Sequence, residues 1–135
     1  MIVKCVANSG KNRPGIYRTL GYTNQLVFHV SPGKEYVVQS MALWGLHLVL
    51  LLADDAGRPN WFPAVLFRVV NPHLPPDWAY DIARHDSRGL RAIWGYKEIV
   101  QNKQHNDALI DRDPDALRLF AQIAAATPME IARAL

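Results

Sequence analysis

The run Leu46–Ala53, LHLVLLLA, constrains the fold more than any other stretch. Seven of its residues are apolar and one is histidine, so almost no side chain in it suits a solvent-facing surface. A helix crossing a bilayer needs roughly 18 apolar residues or more, so this run is too short for that role. It is the right length for a strand covered on both faces, and it reads as the central strand of the fold. Asp54-Asp55-Ala56-Gly57 then ends it with turn chemistry, because Asp side chains accept hydrogen bonds from nearby amides and Gly57 can take positive φ. Two adjacent carboxylates could also hold a metal or act as a base; the expected role is a solvated turn.

The flanking segments extend the same architecture. Glu35–Leu43 is bounded by Pro32-Gly33 and Trp44-Gly45, begins with aromatic and β-branched residues, and is predicted as a strand with Tyr36, Val38, Ser40 and Ala42 on one face. The segment from Trp61 to Val70, WFPAVLFRVV, resembles the closing segment of Src-homology-3 (SH3) domains, in which a strand ends in an aromatic residue, Pro and Ala, makes one tight helical turn, and re-enters a barrel. That resemblance implies an SH3-like barrel with Phe67 and Val69 returning to its core. The acidic, tyrosine-rich opening segment of peptide-binding SH3 domains is missing, so recognition of proline-rich peptides is not implied.

The expected fold class is therefore α+β: a small SH3-like antiparallel β-barrel or curled sheet followed by a C-terminal helical segment. At 135 residues the chain is expected to form one domain. Within it, residues 1–70 form the β body, 71–101 a Pro- and aromatic-rich connector packed on that body, and 102–135 the helices. Met1–Val6 and Tyr22–Val30 alternate enough to supply two further strands. Trp78–Arg84 is an edge strand or an aromatic-anchored loop, and Gly95 weakens any helix over Leu90–Val100. Asn102–Ile110 reads as one short helix. Asp113-Pro114-Asp115 caps the next, whose stripe is Leu117, Phe120, Ile123 and Ala124, and Thr127-Pro128-Met129-Glu130 repeats the capping pattern.

Charge and cysteine content limit the chemistry. The single cysteine, Cys5, rules out an internal disulfide and any multi-cysteine zinc site, and in a strand it reads as a small buried hydrophobe. The apolar run at the N-terminus is too short for a secretory signal, so the expected location is cytoplasmic, with no membrane partner. Net charge is +3, and the excess lies in the first half: residues 1–75 hold seven Lys and Arg against three Asp and Glu. The histidines at 29, 47, 73, 85 and 105 form no HxH or HExxH pair. His47 reads as a satisfied histidine on the central strand. His85 beside Asp86, with Arg84 and Arg88, is the one arrangement that would suit a metal-independent ribonuclease. Adjacent side chains diverge, so no enzyme activity, metal site or cofactor is expected.

An all-β body with a helical appendage, many aromatics and no active-site motif is similar in type to bacterial toxin-immunity proteins, including those of contact-dependent inhibition systems. That resemblance implies a protein partner, a cognate toxin, covered by an acidic and aromatic surface. The candidates are Asp77, Trp78, Tyr80, Asp81, Asp86, Asp107 and Asp111, with Asp113 and Asp115 nearby. The alternative is a nucleic-acid-binding barrel that uses Lys11, Arg13, Arg18 and Arg58 on phosphates and Tyr17 or Trp61 for stacking, from the long Gly- and Pro-punctuated loop Ala7–Gly21.

Overall fold

Alternation in the first strand, β1 (Ile2–Cys5), sends Val3 and Cys5 into a core and leaves Ile2 and Lys4 on the opposite face. The computed structural model describes residues 1–9, 26–82 and 89–135. The remaining strands there are β2 (Glu35–Val37), β3 (Ser40–Trp44), β4 (His47–Ala53), β5 (Pro59–Pro63), β6 (Phe67–Asn71), β7 (Ala79–Ile82) and β8 (Leu90–Gly95). They make a three-stranded sheet, β2-β1-β6, and a five-stranded sheet, β5-β4-β3-β8-β7, antiparallel throughout.

The fold is α+β, and the Leu50–Leu52 part of β4 is covered on both faces, whereas Leu48 is exposed. Leu50 and Leu52 point into a core shared with Val3, Cys5, Phe28, Val30, Tyr36 and Phe62. Leu51 points the other way, into a second core with Ala42, Ile93 and the helices. The centre of the five-stranded sheet is β3, however, and β4 lies beside it. The stretch from Glu35 to Leu43 is not one strand either. The amide of Val38 donates to Met1 O (3.0 Å), in the three-stranded sheet, and the amide of Gln39 to Leu51 O (2.8 Å), in the five-stranded one. Successive amides thus serve different sheets, and the chain passes between them at this point.

The turn after β4 is less solvated than expected. Asp54 is buried, and its carboxylate accepts from the amides of Ala56 and Arg58 and from Asn60 Nδ2, each at 2.9 Å. Gly57 completes the turn with φ of 79°. Asp55 faces outward and accepts from Ser31 Oγ (2.6 Å), Tyr36 Oη (2.6 Å) and Lys34 Nζ (2.9 Å). The bonds from Ser31 and Tyr36 pull its pKa down to about 2, while burial and the same carboxylate push Tyr36 up to about 12. A carboxyl group depressed in the fold contributes stability that is complete above its unfolded value and is lost as pH falls. The Asp55 contribution therefore disappears between about pH 4 and about pH 2, and that of the raised tyrosine between about pH 10 and about pH 12. Urea unfolding across that acid range should show a steeper loss for the wild type than for Asp55→Asn; superimposable acid limbs would refute the linkage.

Between β5 and β6 the chain makes one 3-10 turn, Ala64–Leu66, following Pro63 at φ −57°. This strand–turn–strand order is the one the sequence pattern predicted. Leu66 is fully buried, and Phe62 meets both Phe28 and Phe67 edge-to-face at 6.0 and 6.2 Å. Val69 does not return to the core: β6 is the outer strand of its sheet, and Val69 is left exposed. Of the strand expected over Tyr22–Val30, the described part, Leu26–Val30, forms only an isolated bridge from Val27 to Ser9. Phe28 and Val30 are buried, but Leu26 is exposed.

Four helices follow: α1 (Lys97–Gln101), α2 (Lys103–Ile110), α3 (Pro114–Ala126) and α4 (Met129–Ala134). The stretch Leu90–Val100 is half strand and half helix, and Asn102 separates α1 from α2, its side chain accepting from Gln104 N (3.1 Å). Asp113 caps α3 by accepting from the amides of Asp115 and Ala116, with Pro114 next to it. Phe120 is buried at the centre of the second core, and Leu117, Ile123 and Ala124 pack around it. The expected capping box before α4 is not formed: Pro128 takes the cap position, and no side chain caps the helix. Packing holds α4 instead, through buried Ala132, a bond from Asn71 Nδ2 to Ala132 O, and the Arg133–Glu35 ion pair.

A candidate protein-binding face

The five-stranded sheet carries its helices on one face only. Residues directly opposite in antiparallel strands share a face, so the register places Leu48, Leu43, Ala92 and Ile82 in one row across β4, β3, β8 and β7. Leu50, Met41, Trp94 and Tyr80 form the next row. Both rows lie on the face away from the helices. Leu50 is covered by the first core, but cover runs out toward β7, where Tyr80 is 53% and Ile82 47% exposed. The Tyr80 ring lies 4.9 Å from that of Trp94, tilted by 32°. At the opposite corner Leu48 is exposed, and Leu46 at the hairpin tip is 90% exposed. Exposed apolar side chains thus stand at the two ends of these rows, Leu48 on β4 and the pair Tyr80 and Ile82 on the edge strand β7, with buried Leu50 and Ala92 between them.

Acidic groups flank this edge. Asp77 is exposed just before β7, and Asp81, on the opposite face from Tyr80, accepts from the Ile82 amide (2.8 Å). Trp78 is half-buried against the first core. Four of the expected contact residues, Asp77, Trp78, Tyr80 and Asp81, thus fall on one short stretch. Asp107 and Asp111 do not join them. They line a depression of about 540 Å³ at the end of α2 with Gln104, Arg112 and Asp113, and no residue of β7 borders it. Arg112 closes α2 in the left-handed conformation at φ 60°, its guanidinium bonded to Pro59 O and to Asn60 Oδ1 (2.6 Å), so it ties the helix to β5. Asp86 lies outside the described residues.

Of the cations in the basic alternative, one is described. Arg58 is engaged with the buried Asp54 carboxylate, at 3.5 Å, and Lys11, Arg13, Tyr17 and Arg18 lie outside the described residues. Trp61 offers no free stacking platform, because α2 covers it and its Nε1 donates to Asn106 Oδ1 (2.8 Å). Trp44, Trp61 and Trp78 are all half-buried, so among the described residues the exposed aromatic is Tyr80.

No protein-family model matches the chain, and no curated protein or solved structure matches it.

The buried pair His105 and Tyr96 lies in the interior, away from this face. His105 is buried, its Nε2 2.7 Å from Tyr96 Oη, and desolvation lowers the histidine pKa and raises that of the tyrosine. His47, at the start of β4 by the hairpin turn, is half-buried and its ring has no hydrogen-bond partner among the described residues, unlike the satisfied histidine expected there. His85 lies outside the described residues. Burial also raises the Cys5 thiol pKa, and its Sγ donates to Ala7 O (3.2 Å), the behaviour of a packed hydrophobe. Among the described residues no group of three or more His, Cys, Asp or Glu side chains is placed to hold a metal, and no helix is long and apolar enough to cross a membrane.

Leu43, Leu48, Ile82 and Trp94 lie in the same two rows and were not among the expected contact residues. Alternation of Tyr80 with Ile82 was the available signal; their neighbours depend on the register between β3, β4, β7 and β8.

Proposed function

We propose that the protein is a non-catalytic, cytoplasmic protein-binding module on an SH3-like body, acting by occluding a partner as toxin-neutralising immunity proteins do. The observation that carries this reading is the exposed apolar pair Tyr80 and Ile82 on the edge strand β7. An exposed aromatic and an exposed aliphatic side chain together on an unpaired strand edge make a surface that a partner can cover. Aromatic anchors beside a polar rim are the usual anatomy of an interface, with Tyr80 as the anchor and Asp77 and Asp81 as the rim. The SH3-like part of the proposal rests on the β5–3-10–β6 link and on the passage of one extended segment through both sheets at Val38 and Gln39.

The test is affinity purification of the tagged protein from its native cell, with half of the lysate treated with nuclease. The expected result is one stoichiometric protein retained in both halves. Tyr80→Ala with Ile82→Ala should release it, with a loss of about 2 kcal/mol or more if these are the anchors. Asp107→Asn with Asp111→Asn, away from the face, should not. Retention only of nuclease-sensitive material, or equal release by the two variants, would overturn the proposal.

A further inference from the structure

Helix α2 ends on an arginine at a position whose left-handed backbone favours glycine or asparagine. Arg112 stands there at φ 60°, the one non-glycine residue with positive φ among those described. Such a conformation persists only where the surroundings hold it. The Arg112 guanidinium is fixed by Pro59 O and by Asn60 Oδ1 (2.6 Å), and Asn60 is itself held, since its Nδ2 donates to the buried Asp54 carboxylate (2.9 Å). Both of these acceptors are neutral oxygens, and no carboxylate pairs with Arg112 among the described residues. The charge of Asp54 is already met by Arg58 and by the turn amides. Donors of a rigidly placed cation therefore remain for an anion.

Arg112 and Asn60 border a cavity of about 240 Å³ between β5 and α2. Its other walls are apolar: Leu51 and Leu109, both buried, with Ile110 and the Trp61 ring. The indole cannot turn freely, because Nε1 donates to Asn106 Oδ1 (2.8 Å). Asp107, Asp111 and Asp113 line the neighbouring depression, which Arg112 also borders, and none of them lines this cavity. Apolar walls with a few convergent polar groups are the usual build of a small-molecule site. We infer that the cavity binds a small monocarboxylate carrying one flat ring, with the ring against Trp61 and the leucines and the carboxylate on Arg112. The volume is below the roughly 300–1,000 Å³ of sites for drug-sized ligands, which limits the occupant to one ring and a short acid chain. A guanidinium at the rim of apolar space makes a charge-assisted bond that water screens less than on an open surface.

The experiment titrates the isotope-labelled protein with hydrocinnamate and with its neutral amide, following the Trp61 indole N–H by nuclear magnetic resonance; Trp61→Phe assigns that signal. The acid should shift it with a dissociation constant on the order of 1 mM, the scale that ligand efficiency sets for about eleven heavy atoms. The amide, alike in shape but uncharged, should bind at least about tenfold more weakly. Arg112→Gly should lose the same factor while its melting temperature stays within a few degrees of the wild type, because glycine takes φ of 60° freely and this offsets the two lost hydrogen bonds. Arg118→Gln, which alters an exposed cation of α3 outside the cavity, should bind as the wild type does. Equal binding of acid and amide by the wild type, no saturation below about 20 mM, or unchanged binding by Arg112→Gly would each overturn the inference. Because acid and amide are compared on the unaltered protein, the result decides even where Arg112→Gly is unstable. None of these outcomes bears on Tyr80 and Ile82, since β7 is the opposite edge of the sheet from β5 and its test reads a protein partner.

Discussion

Phe120→Ala should destabilise the protein by about 3–5 kcal/mol, the largest loss expected from any single truncation on the helical side. Phe120 is 1% exposed and sits where α3 meets the five-stranded sheet, among Ala42, Leu51, Ile93, Ile99, Val100 and Leu109. These neighbours come from two different supports, the sheet below and α1 and α2 beside it. Collapse into the vacated space would have to move both, so the cavity should persist and the cost should fall near the upper end of that range. Urea unfolding read by circular dichroism measures it. A loss below about 1 kcal/mol would mean that α3 is held from its ends, by the Asp113 cap and by α4, and that its apolar stripe contributes little.

The second large effect is at Gly95. A Cβ there would lie 2.6 Å from Ser40 Oγ, 2.7 Å from Ser40 Cβ and 2.9 Å from Ile99 Cγ2. Gly95 pairs directly with Ser40 across β3 and β8, Ser40 is fully buried, and its Oγ donates to Trp94 O (2.7 Å). A Cβ is fixed to its backbone and cannot swing aside, so the strands must separate or α1 must lift. Gly95→Ala should cost about 3 kcal/mol, the upper part of the usual overpacking range, and lower the melting temperature by about 10 °C. Ser40→Gly removes the opposing atoms, and although it forfeits a hydrogen bond by itself, in combination it should recover about 1–2 kcal/mol relative to the sum of the single changes. Strict additivity in that cycle would show that the close approach is not the source of the loss.

Gly95 also shows where the sequence stops being legible. Within Leu90–Val100 the glycine argued against a continuous helix, and the chain does change from strand to helix there. The reason is the approach of Ser40, more than fifty residues away, which local patterning cannot register. By contrast Leu46–Ala53, the Asp54–Gly57 turn, the 3-10 link after Pro63 and the Asp113-Pro114 cap were readable because each is decided within about ten residues. The division at Val38 and Gln39 was not, since side-chain alternation continues on either side of it and only the destinations of two amides reveal it. The candidate face was half readable. Tyr80 and its acidic neighbours follow one another in the chain, whereas Leu48 lies inside an apolar run in which nothing local marks it as exposed. Asp107 and Asp111 share composition with Asp77 and Asp81 but not position, because charge content says nothing of which side of a sheet a helix will cover.

The placement of Cys5 provides a means of timing the molecule's own fluctuations. It is the chain's single thiol, 1% exposed, on β1 between β2 and β6. A thiol reagent can reach it only when that sheet opens, so the rate of modification, divided by that of an unstructured thiol at the same pH, gives the opening equilibrium when reclosing is fast. The five-stranded sheet contains no cysteine and is silent in such a measurement. Comparing the labelling free energy with that of global unfolding therefore distinguishes a molecule that opens as one unit from one whose smaller sheet detaches while the larger sheet and its helices stay folded.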